Sequence, residues 1–280
     1  MLSTEQAMTT VVPATSPTGA AHPLLPGLID AALDAGREVI AVYATHFAVE
    51  AKADASPVTE ADTRAERVIL AHLARLAPGI PVVAEESVAA GRIPAIGRRF
   101  FLVDPLDGTR EFVSRNGEFT VNIALVEDGR PMLGVVYAPA LGTIHAGGPA
   151  GAFAADVADG TCGRLAPIRV RVAPEGLVAV ASRSHRSPET DALLARLPVA
   201  TCVGAGSSLK FCLIAAGQAD IYPRLSPTME WDTAAGDAVL RAAGGRVATL
   251  DGADLVYGKR DGAKPFLNPD FVALGGVAFP

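Results

Sequence analysis

The chain has 280 residues, half of them hydrophobic and only 19% charged, which is apolar material for one large domain or two modest ones and excludes wholesale disorder. A formal charge of −6 argues against a general nucleic-acid-binding surface, which needs a basic stripe. Three scattered cysteines, Cys162, Cys202 and Cys212, are too few for a disulfide framework or a thiolate zinc site and point to a reducing, cytoplasmic compartment.

Residues 1–22, rich in Thr, Pro, Ala and Gly, lack the basic start and apolar run of a signal peptide and are predicted to be a flexible tail. No uninterrupted apolar stretch approaches the roughly 18 residues that span a bilayer, so no integral membrane segment is expected. Residues 24–43 carry Leu25, Leu28, Ile29, Ala32, Val39, Ile40 and Tyr43 at helical spacing. A second helix is predicted over 60–76, opened by the capping box Thr59-Glu-Ala-Asp62 and closed by Pro78-Gly79. The period then changes. Residues 80–84 and 100–103 are short apolar runs that read as buried strands, ending at Glu85-Glu86 and at Asp104. Residues 119–126, 132–138 and 143–146 form an antiparallel meander between turn signals, with further strands at 151–154 and 168–172. Beyond residue 175 the pattern alternates: strands at 178–181, 201–203, 220–222 and 246–250, helices at 188–197, 207–216 and 232–243. An α+β half, residues 23–175, joined to an α/β half, residues 176–280, is the predicted organisation.

The densest chemistry lies in Asp104-Pro-Leu-Asp107-Gly-Thr109. A strand delivers Asp104, Pro105 stops its pairing, and Gly108 allows a sharp turn. Two carboxylates with the Leu106 carbonyl between them are oxygen ligands of the kind a hard cation requires, and the Gly108–Thr109 amides suit a phosphate. The local alternative is an Asx-turn with Asp107 capping a helix. Glu85-Glu86, two adjacent acids at a strand end, repel and lose solvation unless a cation or donors compensate. Asp232 reads both as a helix N-cap and as a third acidic point, with Trp231 packed beneath. Lys52-Ala-Asp54-Ala-Ser-Pro-Val-Thr59-Glu-Ala-Asp62 is either an extended lead into the capping box or a further pair of acids. In the C-terminal half, Ser182-Arg-Ser-His185, Gly206-Ser207-Ser208-Leu-Lys210 and Tyr222-Pro-Arg224 supply donors suited to phosphate, or ordinary caps and surface charges. Ser207-x-x-Lys210 also fits a Ser-Lys nucleophile pattern, but no Lys-Thr-Gly or Ser-Asp-Asn follows it.

The strings AEES, DPLDGTREF and WDTAAGDAV, in that order, resemble the signatures of the lithium-sensitive, magnesium-dependent phosphatase superfamily of inositol monophosphatase and fructose-1,6-bisphosphatase. DPLDGTREFVSRNGEFTVNIALVEDGRPMLGVVYAPA, GSSLKFCLIAAGQADIYPR and PTMEWDTAAGDAVL are similar to its bacterial branch of CysQ-type 3′(2′),5′-bisphosphate nucleotidases, a likeness running from about residue 24 to 275. The resemblance implies a layered αβαβα sandwich of the sugar-phosphatase type and two or three Mg²⁺ ions held by Glu85, Asp104, the Leu106 carbonyl, Asp107 and Asp232. It implies that Asp54 and Thr109 orient the attacking water, with Glu85 also catalytic, and places Asp62 near a third metal. Glu85, Asp107, Gly108, Thr109 and Asp232 then meet the scissile phosphate, while His185, Ser207, Lys210 and Arg224 hold the other phosphate and the base. Arg110 stands where many relatives have Lys, which keeps the charge.

The implied reaction is hydrolysis of 3′-phosphoadenosine 5′-phosphate to AMP and phosphate, with 3′-phosphoadenylyl sulfate as a second substrate, in sulfur assimilation and nucleotide recycling. Inhibition by Li⁺ is implied with it. Action on inositol or fructose phosphates is the nearest alternative, and a non-catalytic, metal-stabilised regulatory protein is the alternative of another class. The partner is a small-molecule nucleotide. Homodimerisation and peripheral association with the inner face of the membrane stay open.

Overall fold

Two amphipathic helices open the chain. α1 (Leu25–Tyr43) has proline in its first turn, where a missing N–H leaves no intrahelical bond unmade. α2 (Glu60–Leu76) starts at the predicted capping box: the Thr59 hydroxyl accepts from the Ala61 amide, and the Asp62 carboxylate accepts from the Thr59 amide at 2.7 Å. Between them β1 (Glu50–Ala51) pairs antiparallel with β2 (Pro57–Val58). The computed structural model describes residues 22–51, 57–184, 187–260 and 264–278; the predicted tail, apart from His22, lies outside them, as do Asp54 and His185.

The first sheet is built from β3 (Val82–Ala84), β4 (Arg99–Asp107), β5 (Thr120–Glu127), β6 (Arg130–Ala138), β7 (Thr143–Gly148), β8 (Gly151–Ala158), β9 (Thr161–Cys162) and β10 (Ala166–Ile168). Its order is β10-β8-β7-β6-β5-β4-β3, with β9 on β8. All neighbours are antiparallel except β3 and β4. Short helices α3 (Glu85–Ala89) and α4 (Thr109–Val113) follow β3 and β4. Both faces are covered, so the central strand β5 is apolar almost throughout. Its Val121, Ile123 and Leu125 pack with Leu28, Ala32, Ile69 and Leu73 of α1 and α2, while Ala124 and Val126 belong to the opposite core.

The second sheet holds β11 (Leu177–Ser182), β12 (Val199–Ala205), β13 (Ile221–Arg224), β14 (Arg246–Thr249) and β15 (Phe271–Leu274), in the order β12-β11-β13-β15-β14. Helices α6 (Leu209–Ala215) and α7 (Ala234–Ala242) lie between the sheets, contributing Phe211, Ile214, Val239 and Leu240 to the shared core. α7 approaches so closely that a Cβ on Gly134 of β6 would stand 2.3 Å from the Ala235 carbonyl oxygen. α5 (Pro188–Leu194) covers the outer face through Leu194, against Leu177, Ile221 and Leu274. The layers therefore run α1/α2, first sheet, α6/α7, second sheet, α5: the αβαβα sandwich.

Several boundaries move. The strand expected at 168–172 lies at Ala166–Ile168, and Val172 makes one isolated bridge to Gly276. The helix expected from Asp232 is two pieces, a 3₁₀ turn at Glu230–Asp232 and then α7. β15 is not among the predicted strands, although Asn268-Pro269-Asp270 and Gly275-Gly276 bound its apolar run; it bridges β13 and β14. Among the described residues no helix is long and apolar enough to cross a membrane.

Candidate active site

A strand turns successive side chains to opposite faces, so Asp104 and Asp107, three apart, would point away from each other. They do not, because β4 is bulged. Asp104 lies opposite Asn122 and Asp107 opposite Thr120, three steps along β4 against two along β5. The extra residue restores a common face. Pro105, with no N–H for the ladder, sits inside this irregularity, so it bends the pairing and does not end it. Asp104 Oδ1 accepts from the Leu106 amide at 3.0 Å, the local turn that the sequence left open as an alternative. Asp107 does not cap α4, whose N-cap Gly108 has φ +90° and no side-chain bond. A Cβ there would lie 2.2 Å from Ser207 Oγ, so the glycine is required twice over.

Glu85 and Glu86 open α3. The helix start is capped from outside by Glu66, a buried residue of α2 that accepts from the Glu86 amide at 2.8 Å, the Ser87 amide at 3.3 Å and the Ser87 hydroxyl at 2.6 Å. One turn earlier on the same face of α2, Asp62 Oδ1 stands 3.4 Å from Thr109 Oγ1, which also lies 3.4 Å from the Leu106 carbonyl oxygen. Asp232 ends the 3₁₀ turn and accepts from the Met229 amide at 2.7 Å. It is therefore not the N-cap of α7; Thr233 is. Trp231 is buried and packs on Phe266.

Glu85, Asp104, Leu106, Asp107, Gly108, Thr109 and Asp232 line one cavity of about 230 Å³, shared with Ser207, Lys210, Tyr222 and Arg224. Three separate stretches thus bring acids to one place. Burial pushes the Asp104 carboxyl well above the usual carboxylate range, and the charges of Glu85, Asp107 and Asp232 push it further. Asp232 is raised well above its ordinary value by burial and by Asp107 and Glu85; Asp107 is raised by burial, against the pull of Lys210. The side chains do not close on one point: among the described residues no trio of acidic, histidine or cysteine side chains forms a preassembled ion shell. The donor set is all oxygen, with no thiol or imidazole, and fits a hard cation.

The basic part of the lining, its second wall, is already bonded. Lys210 is buried; its ammonium donates to the Ser207 carbonyl and sits 5.2 Å from the centre of the Tyr222 ring. Burial lowers its pKa to about 8. Arg224 donates to the Ser226 and Pro227 carbonyls, each at 3.1 Å. The Ser207 hydroxyl, on a residue with φ +48°, reaches the Asp107 and Glu118 carbonyls at 2.8 and 2.7 Å. Although Ser207 lines the cavity, its hydroxyl ties the segment between β12 and α6 to the Asp107–Gly108 turn of the first sheet. The sequence reading missed Glu66 and Asn122, and took Ser208 only as part of a phosphate-suited donor segment. The signal for the first two was a polar residue in an apolar setting: Glu66 four after Asp62 on a buried helix face, and Asn122 inside Val121–Ile123.

A profile of the inositol monophosphatase family matches residues 20–267. The 3′(2′),5′-bisphosphate nucleotidase CysQ of Escherichia coli O157:H7 is 46% identical over 242 residues, covering 86% of this chain and 95% of that protein. The CysQ nucleotidase of Salmonella typhimurium is 47% identical over the same shares. Among solved structures, CysQ from Bacteroides thetaiotaomicron, described as a bacterial member of the inositol monophosphatase family, superposes with a TM-score of 0.75 at 37% identity, covering 91% of this chain and 97% of that one. An IMPase of Thermotoga maritima gives 0.71 at 27% identity, covering 89% and 90%.

Proposed function

The chain belongs to the inositol monophosphatase family, and from that premise we propose that it is a 3′(2′),5′-bisphosphate nucleotidase that hydrolyses the 3′-phosphate of 3′-phosphoadenosine 5′-phosphate to give AMP and phosphate. The observation that carries the reading is the mixed lining of one cavity: an acidic wall that includes Glu85, Asp104, Leu106, Asp107 and Asp232, and a basic wall that includes Lys210 and Arg224. A substrate with two phosphates needs both walls.

Glu85, Asp104, the Leu106 carbonyl, Asp107 and Asp232 are the groups that would hold two or three Mg²⁺ ions. Mg²⁺ bound there supplies positive charge to the phosphoryl group and the departing ribose oxygen and acidifies the attacking water. The net negative charge of the protein is no obstacle, because the local field at the site is inverted by the ions. The Thr109 hydroxyl orients the water; its partner within reach is Asp62, and Asp54, the residue that the family resemblance implies for this task, lies outside the described residues. The Gly108 and Thr109 amides at the start of α4 receive phosphoryl oxygens. Lys210 and Arg224 meet the 5′-phosphate with charge-assisted hydrogen bonds, and His185, also outside the described residues, is assigned there by resemblance. The water oxygen bonds to phosphorus as the bond to the ribose 3′-oxygen breaks, and the water's proton ends on the products. Positioning and charge neutralisation suffice, and no covalent enzyme intermediate is required.

The test is phosphate release from 3′-phosphoadenosine 5′-phosphate, inositol 1-phosphate and fructose 1,6-bisphosphate, with Mg²⁺ and with EDTA. The expected result is Mg²⁺-dependent release with the highest kcat/KM on the nucleotide. A preference for inositol 1-phosphate, or turnover unaffected by EDTA, would overturn it.

A further inference from the structure

Beneath the carboxylates a short polar chain runs through an apolar layer. Asn122 of β5 is 1% exposed. Its Nδ2 donates one hydrogen to Asp107 Oδ2 at 3.2 Å and the other to Ser208 Oγ at 3.0 Å. Ser208, equally buried, donates onward to the Asp232 carbonyl oxygen at 2.7 Å. A carboxylate only accepts, so the amide presents its nitrogen to Asp107; the Ser208 hydroxyl, which accepts from Asn122, has both the Asp232 carbonyl and the Asp107 carboxylate within reach.

This orientation leaves Asn122 Oδ1 buried with no partner, and Thr120 Oγ1 beside Asp107 in the ladder is likewise unpartnered. An apolar side chain would avoid that penalty. A buried polar group kept at a cost to stability, with one hydrogen spent on a cavity-lining acid and the other on the hydroxyl that bonds the Asp232 main chain, calls for a role in the site.

We infer that Asn122 and Ser208 are positioning residues that fix Asp107, on the bulged strand, relative to Asp232, on the 3₁₀ turn, so that two mutually repelling carboxylates stay within reach of one cation. Asp107 is held through its side chain and Asp232 through its main chain. The same two residues join the Gly206-Ser207-Ser208-Leu-Lys210 segment to the acidic wall, so the part of the site that meets the second phosphate and the part that holds the cation share one register. The inference rests on the reading of the acids as a Mg²⁺ site.

The experiment titrates Mg²⁺ against the Tm of the native protein, Asn122→Leu and Ser208→Ala, and in parallel records the Mg²⁺ concentration that half-activates phosphate release. The expected result is a metal-free Tm close to native, because Leu also removes the unpartnered oxygen. The Mg²⁺ needed for both the Tm rise and half-activation should increase about tenfold or more, as for other residues that orient metal ligands. The substrate KM at saturating Mg²⁺ should be unchanged. Variants whose Mg²⁺ titrations superimpose on the native curve would overturn the inference and leave the metal reading standing. A native Tm that ignores Mg²⁺ would remove both. If Asn122→Leu does not fold, Ser208→Ala decides by the same two titrations.

Discussion

The two walls of the cavity are built on opposite terms. On the acidic wall burial raises the pKa of Asp104, Asp107 and Asp232, and neighbouring carboxylates raise Asp104 and Asp232 further. On the basic wall Lys210 and Arg224 are bonded to backbone carbonyls of their own neighbourhood. The first wall is under electrostatic tension that a cation relieves; the second is satisfied as it stands and offers a phosphate its charge without rebuilding. A site of this kind binds the ion by need and the substrate by complementarity.

Substitutions break the contrast from its stronger side first. Asp104→Asn removes a ligand and a buried charge together: kcat at saturating Mg²⁺ is expected to fall about a hundredfold or more, while the Tm in EDTA stays level or rises. Near-native turnover would refute the assignment of that acid. Glu66→Ala leaves the α3 amides without their acceptor and is expected to cost about 2 kcal/mol in urea unfolding, moving Glu85 with its helix. On the basic wall Lys210→Met should lower kcat/KM for 3′-phosphoadenosine 5′-phosphate about tenfold and affect inositol 1-phosphate far less; equal losses on both would show that the wall does not read the second phosphate.

An effect that appears only at acid pH lies away from both walls. Burial lowers the pKa of His145 on β7 to about 4, below its ordinary 6.5, and its Nδ1 has no partner. As pH falls from about 6.5 the unfolded chain takes up the proton first, so this group's contribution to stability is lost by about pH 4. His145→Phe should flatten the acid limb of Tm against pH. Asp237, pushed up to about 6 by burial, acts with the opposite sign, so the readout is the difference between variant and native protein at each pH.

Much of this was legible in the chain because local chemistry and packing agree there. The capping box at Thr59 and Asp62 formed as written, and the apolar runs of β4 to β6 are strands because both faces are covered. The acids at Glu85, Asp104, Asp107 and Asp232 were legible as a set from their motifs. What was not legible depends on partners remote in sequence. That Asp104 and Asp107 share a face follows from the register against β5, which residues 104–107 alone do not specify. The 3₁₀ turn before α7 is held by Glu230, whose buried carboxylate accepts from the Gly258 and Lys259 amides at 2.6 and 2.9 Å, a contact some 28 residues away in the chain. Glu66 and Asn122 looked like stray polar residues until the segments they hold were in place.

The central claim, that these acids hold divalent cations, is tested most directly by anomalous diffraction from crystals soaked in Mn²⁺ as a stand-in for Mg²⁺. The expected result is anomalous density inside the cavity, bounded by Glu85, Asp104, the Leu106 carbonyl, Asp107 and Asp232. Density only at surface carboxylates, or none in a crystal whose cavity is open to solvent, would contradict the account.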